Sequence, residues 1–117
     1  MLEFYRNRYR VRLGLLPTRR ILNRPNLFNR DHAIAEKNRV EAWLKANDVD
    51  FVNLDFLNDE GLLFRGLDAE AVVDRFRAMH VDALFAPHCN FGTEDAVAEV
   101  GRKLGVPFLL WGPRDEA

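Results

Sequence analysis

Blocks of apolar residues recur along the chain and predict four strands. The run at residues 11–17 is almost wholly apolar, which is typical of a strand buried on both faces. Similar runs follow at residues 51–54, 82–87 and 106–111. Because no hairpin signal joins consecutive runs, we expect the strands to lie parallel and to be connected by helices.

The segments between these strands have the spacing of amphipathic helices. In the first helix, at residues 31–47, the pattern places on the buried side Ala33, Val40, Trp43 and Leu44. The opposite, solvated side then carries Glu36, Lys37, Arg39, Glu41 and Lys45.

The second helix is expected at residues 68–80, with Asp68 as its N-cap. The third runs from Thr93, its expected cap, to Leu104, and Gly105 ends it. The buried residues of these two helices are predicted to be Val72, Val73, Phe76, Met79, Val97, Val100 and Leu104.

Residues 1–117 are therefore predicted to form a single α/β domain. Its architecture is an open, parallel, four-stranded sheet in three layers, flavodoxin-like or Rossmann-like. The expected strand order is 2-1-3-4, which puts the topological switch point between strands 1 and 3. Ligands bind at the carboxyl ends of strands at such a point, and these ends carry residues 18–20 and 88–94.

This strand order leaves one face of strands 3 and 4 without a helix. The helix after strand 1 covers one face of the sheet, and the two later helices cover the other. The side chains expected to face water are Leu84, Phe85, Leu109, Leu110 and Trp111. Since an apolar patch of this kind needs a cover, we expect a missing helix, a further domain or a partner subunit, and hence a fragment or an obligate oligomer.

Composition limits the classes of partner and the cellular location that we expect for this protein. The 17 Lys and Arg residues nearly balance the 18 Asp and Glu, so the overall field favours neither nucleic acid nor an anionic membrane. The alternating arginines at residues 6–12 are interpreted as a solvated lead-in to the first strand. With no membrane-spanning run, no signal-peptide pattern and a single cysteine, the expected location is the cytoplasm.

The segment at residues 88–94 is the strongest candidate for a ligand site. Gly92 permits a sharp turn, whereas Glu94 and Asp95 in the first helical turn would repel a phosphate. Hydrogen-bond donors and acceptors come from His88, Asn90 and Thr93, and an apolar face comes from Phe91. This combination is typical of sugar-binding sites. No dinucleotide fingerprint or P-loop is present, so we expect a neutral, hydroxyl-rich ligand. The alternative is that the acidic residues only stabilise the helix and that Phe91 belongs to the core.

His88 and Cys89 do not by themselves predict a metal site or a catalytic thiol. One adjacent pair cannot supply the three or four ligands of a zinc-like ion. The acidic helical turn opposes a lowered pKa of the Cys89 thiol. Cys89 is therefore predicted to line the pocket.

Two arginines leave the first strand at the switch point. We expect Arg19 or Arg20 to donate hydrogen bonds to ligand hydroxyls or oxyanions. An equally weighted alternative is a surface ion pair with Asp115 or Glu116. The acidic pair Asp59-Glu60 is assigned to turn formation.

The order and spacing of three stretches, at residues 12–20, 87–94 and 106–115, are similar to those of a known protein family. Together they resemble the N-terminal domain of the L-fucose/L-arabinose isomerase family. The most specific stretch is Cys-Asn-Phe-Gly-Thr-Glu at residues 89–94, which matches a Cys-aromatic-Gly-Ser/Thr-Glu pattern of fucose isomerase-like sequences.

The resemblance implies a ketol-isomerase that interconverts an aldose and a ketose through an ene-diol, with Mn²⁺ or a similar divalent cation. It also implies that the metal ligands and catalytic carboxylates belong to later domains, and that this domain adds to a monosaccharide pocket formed with a neighbouring subunit. By position, the resemblance gives the substrate-binding role to Arg19 or Arg20 and to residues 89–91. With His88 and Glu94 from the segment itself, the predicted substrate-binding residues are Arg19, Arg20, His88, Cys89, Asn90, Phe91 and Glu94. We therefore expect a substrate-contacting and oligomerisation domain that is inactive alone. The alternative is a stand-alone sugar-binding or regulatory α/β module without catalysis.

Overall fold

A computed structural model describes residues 10–19, 30–90 and 94–112. Within these ranges the strands are β1 (Arg12–Leu15), β2 (Thr18–Arg19), β3 (Asp50–Val52), β4 (Ala83–Asn90) and β5 (Phe108–Trp111). The helices are α1 (Arg30–Ala46), α2 (Ala69–Ala78) and α3 (Glu94–Leu104), with a 3-10 turn (Gly66–Asp68) before α2. None of these helices is long and apolar enough to span a membrane.

The sheet is parallel throughout the described residues, and its order is β3-β1-β4-β5. β2 continues the chain of β1 after Leu16 and Pro17 and pairs with the carboxyl half of β4. Counting β1 and β2 as the first strand, this is the predicted order 2-1-3-4. The α/β class and the open parallel sheet are confirmed.

Helices α2 and α3 lie on one face of the sheet and α1 lies on the other. Leu84 and Ala86 of β4 join the larger core with α2 and α3, whereas Phe85 packs with the cluster that contains Leu15 and Val40. Alternate residues of a strand point to opposite faces, which explains this division. The predicted core residues Val72, Val73, Phe76, Val97 and Val100 are buried.

Gly14 and Gly105 have distinct structural reasons to be glycine. A Cβ atom on Gly14 would lie 2.6 Å from Cε2 of the buried Phe76 ring, so the close approach of α2 to the sheet depends on its absence. Gly105 has a φ of +64° and ends α3 as predicted.

Two predicted details of the elements are wrong. The Asp68 side chain does not cap α2; its backbone is already helical, and its carboxylate accepts from the Arg65 guanidinium instead. β4 extends through Asn90, so His88 and Cys89 lie in the strand and not in a loop, because pairing with β2 prolongs the ladder.

The buried stripe of α1 also differs from the prediction. Trp43, expected to be buried, is 61% exposed. The buried residues of α1 are Ala33, Glu36, Lys37, Val40, Glu41 and Leu44. Three of them are charged residues that were assigned to the solvated side, and the contacts that hold them are described below.

The expected uncovered apolar face exists on β5. All four side chains of Phe108–Trp111 are exposed, by 37% to 62%. A groove of about 430 Å³ between α1 and β5 is lined by Arg39, Val40, Trp43, Phe85, Leu109 and Trp111. Leu84 and Leu110, expected at this face, lie on the side of α2 and α3 instead. Leu84 is buried there, and Leu110 pairs with Ala86 of that side but stays exposed.

Candidate functional site

The carboxyl ends of β2 and β4 lie side by side. Thr18 is opposite His88, and Arg19 is opposite Asn90. On the other side of β2, Leu63 forms a parallel bridge with Thr18 and its carbonyl accepts from the Thr18 hydroxyl at 2.7 Å. The two segments predicted at the switch point are therefore neighbours at one edge of the sheet.

Arg19 is held there by a carboxylate from the loop after β3. Its Nε donates to Glu60 Oε1 at 2.6 Å, and its Nη2 donates to Glu60 Oε2 at 3.0 Å. The guanidinium lies 4.2 Å from the centre of the Phe64 ring. The two charged side chains are only 12% and 11% exposed. A bidentate pair of this kind fixes the orientation of the guanidinium as well as its position.

Glu60 therefore does more than the turn formation predicted for it. The turn itself is closed by Asn58, whose Oδ1 accepts from the amides of Glu60 at 3.1 Å and Gly61 at 2.9 Å. This leaves the Glu60 carboxylate available to Arg19. The alternative partners considered for Arg19, Asp115 and Glu116, lie outside the described residues.

Lys37 joins α1 to the same loop. Its buried Nζ donates to the Glu60 carbonyl at 2.6 Å and lies 3.9 Å from both Glu41 Oε2 and Asp55 Oδ1. Gly61, with a φ of +66°, leaves room for this ammonium, since a Cβ there would lie 2.8 Å from Nζ. One cation thus joins α1, the end of β3 and the Glu60 loop.

Glu36 is a further buried acid on α1. One of its carboxylate oxygens accepts from the Arg39 guanidinium, one helical turn later. Its Oε2 is buried and has no hydrogen-bond partner among the residues that the structure describes. A buried acceptor of this kind marks the sheet-facing side of α1 as polar at this end of the domain.

Cys89 lies on the α1 side of β4, packed with Ala33 and Leu62. Burial, and then the negative charge of Glu36, raise the pKa of the Cys89 thiol to about 12. At neutral pH the side chain is therefore a neutral thiol, and a nucleophilic role is disfavoured.

His88 and Asn90 end β4. His88 is half-buried, and its Nε2 is buried without a hydrogen-bond partner in the described part of the chain. Because strand residues alternate, His88 points to the opposite face from Cys89. Asn90 is placed opposite Arg19 by the ladder.

The remaining predicted site residues lie beyond β4 or outside the description. Glu94 is exposed and begins α3, with Asp95 beside it in the first turn. Arg20 and Phe91 lie outside the described residues, as do the predicted turn at Gly92 and cap at Thr93.

The buried charges of α1 were missed at the sequence level. Glu36, Lys37 and Glu41 lie three, four and eight positions after Ala33, which is the spacing of one helical face. Charged residues that fall by spacing on the apolar face of a helix are candidates for buried ion pairs. This spacing is the signal in the sequence that indicates the burial of these three residues.

The described residues at this edge supply hydrogen-bonding groups and no cluster of metal ligands. Within residues 10–19, 30–90 and 94–112, no group of three or more His, Cys, Asp or Glu side chains is arranged to hold a metal ion. Backbone groups and the side chains of β2 and β4 can bind and orient a polar ligand.

Comparison with known proteins identifies the family of this α/β domain. A family model described as the fucose/sulfoquinovose isomerase N-terminal domain matches residues 20–117. No curated protein and no solved structure gives a significant match to the chain. The matched range covers most of the chain, from the residue after β2 through β5, and so this chain belongs to the fucose/sulfoquinovose isomerase N-terminal domain family.

Proposed function

We propose that this chain forms one wall of the monosaccharide pocket of a metal-dependent aldose–ketose isomerase and also contacts a neighbouring subunit. The single observation that carries the proposal is family membership over residues 20–117. The pairing of β2 with β4 supports it, because that pairing brings both predicted ligand-binding segments to one edge of the sheet.

We assign direct contacts with the sugar to Arg20, His88, Asn90, Phe91 and Glu94. Amide, imidazole and guanidinium groups recognise hydroxyl and carbonyl oxygens, and an aromatic ring packs against the apolar face of a sugar.

We assign Arg19 and Cys89 a structural role next to these residues and no direct contact with the sugar. Arg19 is occupied by its bidentate pair with Glu60, and the Cys89 thiol is neutral and buried. Arg20 is therefore the better candidate of the two arginines for a direct contact with the ligand.

In ketol isomerisation a divalent cation polarises the substrate oxygens while a proton moves between adjacent carbons. Mn²⁺ or a similar ion, with its ligands and the catalytic carboxylates, is assigned to another part of the protein or to a neighbouring subunit. The contribution of the present residues is to bind the sugar and hold its orientation.

The substrate we favour is a neutral hexose or pentose, such as L-fucose or L-arabinose, and not a sulfonated sugar. Glu94 and Asp95 place two carboxylates in the first turn of α3. They offset the positive end of the helix dipole, and would repel a sulfonate at this edge.

The test is an aldose-to-ketose assay of the full-length protein with added Mn²⁺, using L-fucose, L-arabinose and sulfoquinovose. We expect Asn90→Ala and Arg20→Ala each to lower kcat/KM for a neutral sugar by about tenfold, the value of one hydrogen bond. Arg102→Ala, at the far end of α3, is the control and should leave kcat/KM unchanged.

Unchanged kcat/KM in both site variants would refute the assignment of the pocket. Turnover by residues 1–117 alone would refute the assignment of the metal ligands to another part. Sugar binding without isomerisation by the full-length protein would instead support a binding or regulatory module.

A further inference from the structure

We propose that Glu60 is a positioning residue of the sugar pocket. Through its bidentate pair with Arg19, its carboxylate holds β2 against the end of β4 and so sets the place of His88 and Asn90 relative to the sugar. Glu60 itself is assigned no contact with the ligand. Such a role rests on the proposed function, to which it adds a residue from the loop after β3.

The ladder between β2 and β4 is too short and irregular to define the position of β2 by itself. β2 consists of two residues, and the first of them, Thr18, is opposite His88. Arg19 is opposite Asn90, two residues further along β4, so the register shifts between the two pairs. A bulge of this kind disrupts the ladder locally, and bulges are frequent next to active sites, where they redirect a side chain. Contacts from outside the ladder are therefore needed to hold β2 in place.

The loop after β3 supplies these contacts. Leu63 lies beside β2, where its amide donates to the Pro17 carbonyl at 2.8 Å and its carbonyl accepts from the Arg19 amide at 3.3 Å. Three residues earlier, the Glu60 carboxylate binds both Nε and Nη2 of Arg19. The loop thus holds β2 at two points, and the second point restricts rotation of the strand about the first.

The loop is in turn anchored to α1 by a buried cation. The Lys37 ammonium donates to the backbone carbonyl of Glu60 at 2.6 Å, and both residues are buried. Glu60 is therefore held to α1 through its backbone and to β2 through its side chain. This one residue links the position of β2 to that of the helix.

Stability alone is a weak reason for burying the two charges of this pair. Taking a carboxylate and a guanidinium out of water costs free energy that their attraction offsets only in part, and apolar side chains of similar volume often stabilise a protein equally well. Apolar side chains pack in many orientations, whereas a planar guanidinium and a carboxylate meet in a defined geometry. That geometry favours a role in placing β2 next to Asn90, to which we assigned a sugar contact.

The first test compares KM and kcat in the aldose-to-ketose assay of the full-length protein with a neutral sugar. Glu60→Gln keeps the size of the side chain but leaves one acceptor oxygen, so the bidentate pair is lost. If β2 then holds its binding-competent position about one tenth of the time, the apparent affinity falls by the same factor. We expect KM to rise about tenfold while kcat is retained, because saturating sugar restores the position.

Phe76→Leu is the control for lost stability. Phe76 is buried on α2 against Gly14 of β1, and the smaller side chain leaves a cavity there without touching the pair. This variant should have a lower free energy of unfolding in urea and an unchanged KM. An unchanged KM in Glu60→Gln, or an equal rise of KM in both variants, would overturn the assignment of Glu60.

The second test replaces both charges with apolar side chains. In the double variant Arg19→Met/Glu60→Leu, the free energy of unfolding should stay closer to that of the unsubstituted protein than in Glu60→Gln, because no charge is left buried without its partner. Its KM should still be raised, since the defined geometry of the pair is gone. A KM equal to that of the unsubstituted protein would show that packing alone places β2 and would contradict the role of Glu60.

Hydrogen exchange of the full-length protein tests the positioning without a sugar. Glu60→Gln should selectively speed amide exchange in the segments that contain residues 18–19 and 88–90, whereas Phe76→Leu should not. If exchange changes in this way but the unsubstituted protein isomerises no sugar, the positioning stands and the proposed function fails. If the unsubstituted protein isomerises a sugar but Glu60→Gln changes neither KM nor exchange, the positioning alone fails.

Discussion

The bidentate pair of Arg19 and Glu60 is predicted to be a main source of stability at the candidate site. Its two hydrogen bonds, of 2.6 and 3.0 Å, join β2 to the loop after β3, and both side chains are almost buried. Glu60→Ala removes both carboxylate acceptors and leaves a nearly buried guanidinium without this partner. Breaking one side of a buried pair costs about 3–5 kcal/mol, so we expect a loss near the lower end because some water still reaches the pair.

A double-mutant cycle isolates the interaction. Arg19→Ala should destabilise the protein similarly, with about 0.5–1 kcal/mol added by loss of the contact with the Phe64 ring. The double variant should lose clearly less than the two single variants together, since the second change removes a group whose partner is already gone. The assay is urea unfolding of the full-length protein, compared through the free energy of unfolding.

The control pair lies on the surface of α3. Glu99 accepts from the Arg102 guanidinium at 2.9 Å, but this pair is solvated, so Glu99→Ala should leave the free energy of unfolding unchanged. If Glu60→Ala is as mild as Glu99→Ala, or if the effects of Arg19→Ala and Glu60→Ala simply add, the pair does not act as described.

Two further predictions concern the core and the buried thiol. Gly14→Ala should lower the free energy of unfolding by about 1–3 kcal/mol through overpacking against Phe76, whereas Gly66→Ala, with no atom near its Cβ, should have little effect in the same unfolding assay. Cys89 has a pKa of about 12 in the folded protein against an ordinary value of 9.0, so its contribution to stability is complete below pH 9 and is lost as the pH rises from about 9 to 12. Unfolding of the protein and of Cys89→Ala across that range should show the steeper fall in the protein with the thiol; parallel curves would contradict the shift, as would rapid alkylation of the folded protein at neutral pH.

Much of the fold could be predicted because its determinants are local. Apolar runs and helical spacing identified the strands and helices, and the right-handed crossover rule then left few possible strand orders. The uncovered face of β5 also followed from that order, before any side chain was placed. The exceptions at this face, Leu84 and Leu110, depended on which way each strand turns its side chains. Residues 83–87 and 106–111 do not reveal this, because they are apolar at every position.

The contacts of the site were less predictable because they join distant parts of the chain. Arg19 and Glu60 are 41 positions apart, and nothing local to either residue identifies the other. Trp43 shows the same limit, since its apolar ring favours burial although the helix turns it toward the open groove. The end of β4 depended on pairing with β2, and so on tertiary structure rather than on the residues of the strand.

The mixed composition of the buried side of α1 has a consequence for how this helix finds its place. Val40 and Leu44 could pack against many apolar surfaces, so they supply attraction without a defined position. Outside α1, the Lys37 ammonium meets the Glu60 carbonyl and Asp55 in the described part of the chain. Glu41 lies on α1 and moves with Lys37, but a shift of α1 by one turn would bury the ammonium away from the other two. The apolar half of α1 thus holds the helix to the sheet, while the charged half specifies its register.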